Sequence, residues 1–116
     1  MGINTQGIIE HRFGVSDVIE VLANKFNVNP VIEDTHDKNF KSIFFNYKGE
    51  DRIMSVFVNY SDLEHIGFTG MRMVTLIDLN LWGSSIELIE GVVEEFGGYM
   101  VDDDCSDDWR FVEIAN

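Results

Sequence analysis

Cysteine, proline and positive charge are scarce in this chain, and it has no long apolar run. A single cysteine, Cys105, excludes an internal disulfide, and no apolar stretch reaches the roughly 18 residues that a membrane-spanning helix needs. The polar start "MGINTQGIIEH" lacks the regions of a signal peptide, and Gln6 stands where a myristoylation signal has Ser or Thr. These absences predict a soluble, cytoplasmic protein with no membrane association.

The chain is long enough to fold around one hydrophobic core. It has 116 residues, of which 45% are hydrophobic and 12% aromatic. A chain of this size and composition needs neither disulfides nor a structural metal to be stable. We therefore expect a single domain over residues 1–116.

Negative charge is concentrated in the last third of the chain. Residues 1–72 hold 10 acidic and 7 basic side chains, a net charge of −3, whereas residues 73–116 hold 11 acidic and 1 basic, a net charge of −10. Ten carboxylates lie between Arg72 and Arg110 with no Lys or Arg among them, so none has a cationic partner nearby in sequence. Such a surface repels nucleic acid and anionic membranes and attracts cations or a basic protein.

The first half of the chain predicts a strand, a helix and a hairpin. Residues 5–13 form a strand, which Gly14 ends, and Ser16 is placed to N-cap a helix over residues 17–26. Pro30 ends this helix, and residues 33–39 are a polar loop. Two runs rich in aromatic and β-branched residues, "FKSIFFNY" and "RIMSVFVNY", flank the turn "KGED" and predict a hairpin.

The second half predicts a strand, a helix and a second hairpin. "MRMVTLIDLNLW" (71–82) alternates as a strand does, and Ser84 with Glu87 forms a capping box that opens a helix through Phe96. Gly97 and Gly98 close this helix, whose predicted buried stripe is Ile86, Ile89, Val93 and Phe96. "GYMV" and "WRFVEI" are the last strands. The order β-α-β-β-β-α-β-β predicts an α+β domain with two helices on one face of a mainly antiparallel sheet.

Five aspartates within seven positions, around Cys105, are the most unusual local feature. Counted from Asp102, the oxygen-bearing residues fall at positions 1, 3, 5, 7 and 12 of a calcium loop: Asp102, Asp104, Ser106, Asp108 and Glu113. The glycine expected at position 6 is Asp107, and strands rather than helices flank the loop. A calcium module is therefore an alternative hypothesis, whereas the spacing of the histidines and Cys105 gives no zinc pattern and the sequence predicts no cofactor.

Catalysis is not favoured by the sequence. Neighbouring aspartates raise the pKa of a thiol, which makes Cys105 a poor nucleophile. His11, His36 and His65 each adjoin a carboxylate, but no nucleophile turn or phosphate-binding glycine loop accompanies them. We therefore predict a non-enzymatic protein.

A negative interaction surface is the leading hypothesis. Glu87, Glu90 and Glu94 fall on one line along the second helix, and no Lys is interleaved. Rows of carboxylates on a rigid element can occupy a basic channel that normally holds phosphates. Trp82 and Trp109 are candidate aromatic anchors; core packing is the alternative for both and is slightly favoured for Trp109. The predicted partner-binding residues are Glu87, Glu90, Glu94, Glu95, Asp102, Asp103, Asp104, Asp107, Asp108, Trp82 and Trp109.

Small size, strong acidity and the lack of a catalytic motif resemble the counter-defence proteins of phages and mobile elements and the immunity proteins that neutralise nucleases. The resemblance is one of composition, so no family residue is carried over. It implies a nucleic-acid mimic that inhibits or adapts a basic, nucleic-acid-handling protein and does not bind nucleic acid itself. A small housekeeping domain whose acidic face serves only solubility is the other alternative, and an uncovered edge at "GIIEHRF" (7–13) would favour a homodimer.

Overall fold

The computed structural model describes residues 4–33, 36–80, 85–103 and 107–115 of the chain. Within these ranges the chain forms two helices and seven strands. The helices are α1 (Val15–Phe26) and α2 (Ser85–Phe96). The strands are β1 (Asn4–Glu10), β2 (Val31–Glu33), β3 (Phe40–Tyr47), β4 (Glu50–Tyr60), β5 (Val74–Asn80), β6 (Gly98–Val101) and β7 (Arg110–Val112). The predicted α+β class is confirmed, and β2 is an addition to the predicted order.

The described strands form one antiparallel sheet in the order β2-β3-β4-β5-β1-β6-β7. β1 pairs with β5 on one side and with β6 on the other, so residues 7–10 are not the uncovered edge that would favour a homodimer. Ile8 and Ile9 point to opposite faces of β1 and both are fully buried, which requires a central position for this strand. The outer strands of the sheet are β2 and β7.

The two helices pack on the same face of the sheet. Their apolar side chains share one core with residues of the strands, including Ile9, Met54 and Ile77. α2 lies directly against β1, because a Cβ on Gly7 would come within 2.7 Å of Val93 Cγ2. The arrangement of two helices on one face of the sheet is therefore as predicted.

The buried stripe of α2 differs from the predicted one. Ile89 and Val93 are fully buried, and Phe96 is half-buried against the core, but Ile86 is exposed. Leu88 and Val92 fill the core instead. The stripe is broader than expected because α2 packs on the sheet along one side and on α1 along another.

Backbone geometry explains how the helices begin and end. α1 begins at Val15, and its N-cap is Gly14, whose backbone N–H donates to Asp17 Oδ2 at 2.8 Å. The predicted N-cap at Ser16 is therefore wrong, since the carboxylate of Asp17 does the capping from the third helical position. Gly97 follows α2 with φ +77°, as predicted for a helix end. Ser84, the predicted cap of α2, lies outside the described residues.

The first predicted hairpin is confirmed, with a tighter turn than expected. Tyr47 pairs with Glu50, so only Lys48 and Gly49 form the loop, with φ values of +52° and +80°. Positive φ at both positions is typical of the two-residue turn that matches the twist of the strands. The turn presents Lys48 toward the start of α2, where its ammonium contacts Glu87.

The face of the sheet opposite the helices is covered in part by the connection between β4 and β5. Leu63 and Phe68 of this connection are buried against Ile8, Val74 and Leu76 of the sheet. The cluster is a second, smaller core under a loop. Of the two described helices, neither is long and apolar enough to cross a membrane.

Candidate protein-binding surface

The glutamates of α2 lie on its outer side, where Glu87 and Glu95 are exposed and Glu90 and Glu94 are half-buried. Glu87 Oε1 accepts hydrogen bonds from Lys48 Nζ and from the Tyr47 hydroxyl, both at 3.0 Å. The hydrogen bond from Lys48 to Glu87 raises the pKa of this lysine above its usual value, and the charge of Glu87 raises it further. The first turn of α2 is therefore joined to the β3–β4 turn.

Arg110 joins α2 to the last hairpin. Its guanidinium contacts Glu90 Oε2 at 3.1 Å and Asp102 Oδ1 at 3.2 Å. Partial burial lowers the pKa of Arg110, but the hydrogen bonds and charges of Glu90 and Asp102 outweigh that effect and raise the pKa. One cation thus serves two of the predicted partner-binding residues.

Lys25, in the last turn of α1, joins the two helices. Its ammonium forms an ion pair with Glu94, lies 3.8 Å from Glu95 Oε2 and donates to the carbonyl of Gly91 at 2.9 Å. The Lys25 and Glu94 side chains are 29% and 31% exposed, so this pair is less accessible to solvent than that of Lys48 and Glu87. Solvent therefore screens the Lys25–Glu94 pair less than the Lys48–Glu87 pair. The Lys25–Glu94 pair helps to hold α1 against α2.

Cations from other parts of the chain contact the glutamates of α2, although no Lys or Arg lies near them in sequence. Five carboxylates, on Glu87, Glu90, Glu94, Glu95 and Asp102, contact three cations, which leaves two net negative charges. The three ion pairs join residues that are far apart in sequence, with separations of 39 residues for Lys48 and Glu87, 20 for Arg110 and Glu90, and 69 for Lys25 and Glu94. Neighbouring sequence positions therefore could not reveal them. Most of the net charge of −13 must therefore be carried by other parts of the chain.

The aspartate cluster lies between β6 and β7. Asp102 and Asp103 follow β6, and Asp107 and Asp108 precede β7, while Asp104, Cys105 and Ser106 lie outside the described residues. The side chains of Asp102, Asp107 and Asp108 are exposed and that of Asp103 is half-buried. Residues 98–109 contain no Lys or Arg, so this segment itself holds no positive charge that could balance its aspartates.

Trp109 fixes this cluster to the β4–β5 connection. It is half-buried, its ring centroid lies 5.6 Å from that of Phe68, and its Nε1 donates to the carbonyl of Ile66 at 2.9 Å. The backbone beside it is close as well, because a Cβ on Gly67 would lie 2.9 Å from Asp107 Cβ. Trp109 therefore ties two loops together, whereas Trp82 lies outside the described residues.

The loop that Trp109 holds is itself acidic. It carries Asp62 and Glu64, both exposed, and residues 53–71 contain no Lys or Arg. We refer to residues 61–67 and 107–109 together as the acidic loop pair; its carboxylates are Asp62, Glu64, Asp107 and Asp108. Sequence reasoning missed Asp62 and Glu64, and the run of 19 residues without a cation was the signal available for them.

The calcium hypothesis gains no ligand cluster from the described residues. Within the described ranges, no three His, Cys, Asp or Glu side chains are grouped so as to hold a metal ion. Asp102 contacts Arg110, and the loop is flanked by β6 and β7 rather than by two helices. Asp104 and Ser106, two of the five predicted ligands, lie outside the described residues.

The histidines are spread over the surface. His11, His36 and His65 are all exposed, and they belong to three different connections between elements. Such dispersed imidazoles do not form a catalytic constellation with one another.

Comparison of the chain with models of protein families, with curated proteins and with solved structures gives no match. The function must therefore be argued from the chemistry of this chain.

Proposed function

We propose that the protein is a small non-enzymatic inhibitor or adaptor of the cytoplasm, which binds a basic surface of a nucleic-acid-handling protein. In this proposal the acidic loop pair is the centre of the docking surface. The observation that carries it is the tie made by Trp109, because it joins two acidic segments that are about 40 positions apart in sequence. A rigid, anionic surface of this kind is complementary to a surface that normally holds phosphates.

The chemistry of the loop pair suits arginine and lysine. All four of its carboxylates are exposed, and neither segment contains a Lys or Arg. A guanidinium that approaches such carboxylates forms charge-assisted hydrogen bonds, with two parallel bonds where the geometry allows. Because Trp109 restrains both segments, less conformational entropy is lost on binding than with two independent loops.

The α2 row has a secondary role in this proposal. The Lys48–Glu87 pair is well exposed, with side-chain exposures of 65% and 48%, so solvent and salt screen the attraction between its charges. A partner's arginine can replace such a lysine at little cost. Glu87, Glu90, Glu94 and Glu95 therefore extend the surface, but they do not provide its main charge.

The same charge argues against direct binding to nucleic acid or to an anionic membrane. A net charge of −13 on 116 residues repels phosphate groups at distances up to about one Debye length, roughly 8 Å at physiological salt. The proposed protein therefore competes with nucleic acid for its partner and does not contact nucleic acid itself. This competition distinguishes a nucleic-acid mimic from a solubility surface.

The test is capture of the partner from nuclease-treated lysate of the native host on immobilised protein. We expect a basic, nucleic-acid-binding protein to be retained and to be displaced by added duplex DNA, because both ligands need the same surface. We also expect elution at moderate salt, since each ion pair with an exposed carboxylate is screened.

Two variants with similar loss of charge locate the surface. The loop variant carries Asp62→Asn, Glu64→Gln, Asp107→Asn and Asp108→Asn, and the helix variant carries Glu87→Gln, Glu90→Gln, Glu94→Gln and Glu95→Gln. Each removes four negative charges, so a simple net-charge effect would be equal for both. Loss of capture in the loop variant alone supports the proposal. Capture that persists in both variants, or a retained protein that binds DNA and this chain at once, contradicts it.

A further inference from the structure

A row of side chains on the sheet face opposite the helices reaches solvent at the last strand. Ile8, Tyr99 and Phe111 are paired in register across β1, β6 and β7, so their side chains share this face. Ile8 is fully buried, Tyr99 is half-buried and Phe111 is 62% exposed. The row therefore begins in the smaller core under the β4–β5 connection and ends in an aromatic ring at the outer edge of the sheet.

Phe111 is held in place although it is exposed. Its ring packs on that of Tyr99 with the centroids 5.4 Å apart, and the ring of Tyr99 packs on that of Phe68 at 5.0 Å. Phe68 is buried and also contacts the ring of Trp109. Phe111 is thus the outermost of four aromatic rings that are fixed to the smaller core. Part of its conformational freedom is therefore already lost before a partner binds.

The acidic loop pair lies beside Phe111 on the same face. Trp109, which joins the two loops, is two residues away, so its side chain and that of Phe111 point to the same side of the chain. Arg110 lies between them and points to the other side, where its guanidinium contacts Glu90 of α2. The exposed ring therefore shares its face with the carboxylates of the loop pair and not with the cation of β7.

Charge decides which kind of molecule covers this ring. A second copy of the chain would bring its own acidic loop pair and a net charge of −13 against the first, and an anionic membrane would be repelled in the same way. A basic protein is attracted by the same field. In protein interfaces, buried aromatic residues provide much of the affinity, whereas the charges around them guide the encounter.

We propose that Phe111 is the apolar anchor of the docking surface and packs against an apolar side chain that lies between arginines or lysines of the basic partner. This inference rests on the proposed function, which supplies the charge of the partner. It adds a selection step to that function. The acidic loop pair attracts basic segments in general, and Phe111 favours those that present an apolar side chain among their cations.

The experiment is a two-dimensional amide NMR titration of the full chain at low ionic strength with two synthetic peptides. Acetyl-Arg-Arg-Leu-Arg-Arg-amide carries an apolar side chain, and acetyl-Arg-Arg-Ser-Arg-Arg-amide has the same charge without it. We expect both peptides to shift amides of the acidic loop pair. We expect the leucine peptide to bind about fivefold more tightly, which corresponds to roughly 40 Å² of buried apolar surface, and to shift the amides of Tyr99 and Phe111 further.

Phe111→Ser and Val31→Ser form the matched pair of variants. Each removes an exposed apolar side chain from an outer strand of the sheet, since Val31 is 63% exposed on β2. We expect the preference for the leucine peptide to fall below twofold in Phe111→Ser and to stay about fivefold in Val31→Ser. Phe111→Leu should keep most of the preference, because an apolar side chain remains. The preference is a ratio measured within each variant, so a change in overall stability cancels.

The proposal is overturned if neither peptide binds, if both bind the native protein equally well, or if the preference persists in Phe111→Ser. Equal binding of the two peptides to the acidic loop pair would remove the anchor alone and leave the proposed function intact. Peptide affinities that are unchanged in the loop variant would instead contradict the proposed function, and this inference with it.

Discussion

Replacement of Trp109 by Phe tests whether one side chain holds the acidic loop pair together. The change keeps an aromatic ring against Phe68 but removes the N–H that donates to Ile66 O at 2.9 Å. Loss of that bond costs about 1 kcal/mol, and the smaller ring of Phe gives up roughly 20 Å² of buried apolar contact, about 0.5 kcal/mol. We therefore expect the free energy of unfolding to fall by about 1.5 kcal/mol, which is a fall of about 5 °C in Tm.

Two measurements check this prediction. Urea denaturation gives the change in stability, and amide hydrogen exchange gives its location. In the native chain the N–H of Phe68 donates to Leu63 O at 3.1 Å, so exchange at Phe68 reports whether the loop keeps its shape. We expect faster exchange there in Trp109→Phe, while amides in the centre of β1 change only as global stability changes.

A neighbouring aromatic residue provides the control. Phe111 is 62% exposed on the adjacent strand, so Phe111→Leu should change stability by less than about 0.5 kcal/mol. The reasoning is refuted if Trp109→Phe has the stability of the native protein and unchanged exchange at Phe68. In that case the two loops are held by other contacts, and the indole is not their tie.

Three further predictions concern packing, pH and calcium. Gly98→Ala should destabilise the protein by about 3 kcal/mol in urea denaturation, because its Cβ would lie 1.9 Å from the backbone oxygen of Ile8 and would push β6 from β1. A variant as stable as the native protein would contradict this close pairing of β6 with β1. The folded state raises the pKa of Tyr60 above 10.0, so stability that is present below that pH should be lost as the pH rises above it. This loss of stability with pH should be less steep in Tyr60→Phe. Equal slopes of stability against pH in the two proteins would contradict this assignment. Calcium at millimolar concentration should raise Tm no more than magnesium does, and a selective increase of several degrees that Asp102→Asn abolishes would instead support the calcium module.

The elements that could be predicted from the sequence are those with strong local signals. The turn at Lys48 and Gly49 lies between two runs rich in β-branched and aromatic residues. Gly97 directly follows α2, in which apolar residues recur at helical spacing. Both the hairpin and the end of α2 depend on residues that are close in sequence. β2 was missed because it has only three residues and lies on the edge, where all three side chains are exposed and no buried pattern is required.

The charge pattern was harder to interpret, because ion pairs depend on contacts between distant residues. The sequence between Arg72 and Arg110 has no cation, yet Lys48 and Lys25 reach α2 from the β3–β4 turn and from α1. The acidic loop pair was missed for the same reason, since residue 107 lies next to residue 67 only in the folded chain, where Trp109 packs on Phe68. Local sequence fixes the charge of each segment, but the order of the strands decides which segments meet.

The docking surface is tested most directly by the affinity of the captured partner for the loop variant and the helix variant at one physiological ionic strength. We expect the dissociation constant to rise about a hundredfold for the loop variant and less than tenfold for the helix variant, because α2 already has its own cations. Equal losses in the two variants would mean that only net charge matters. A larger loss in the helix variant would place the binding surface on α2 and contradict the role of the acidic loop pair.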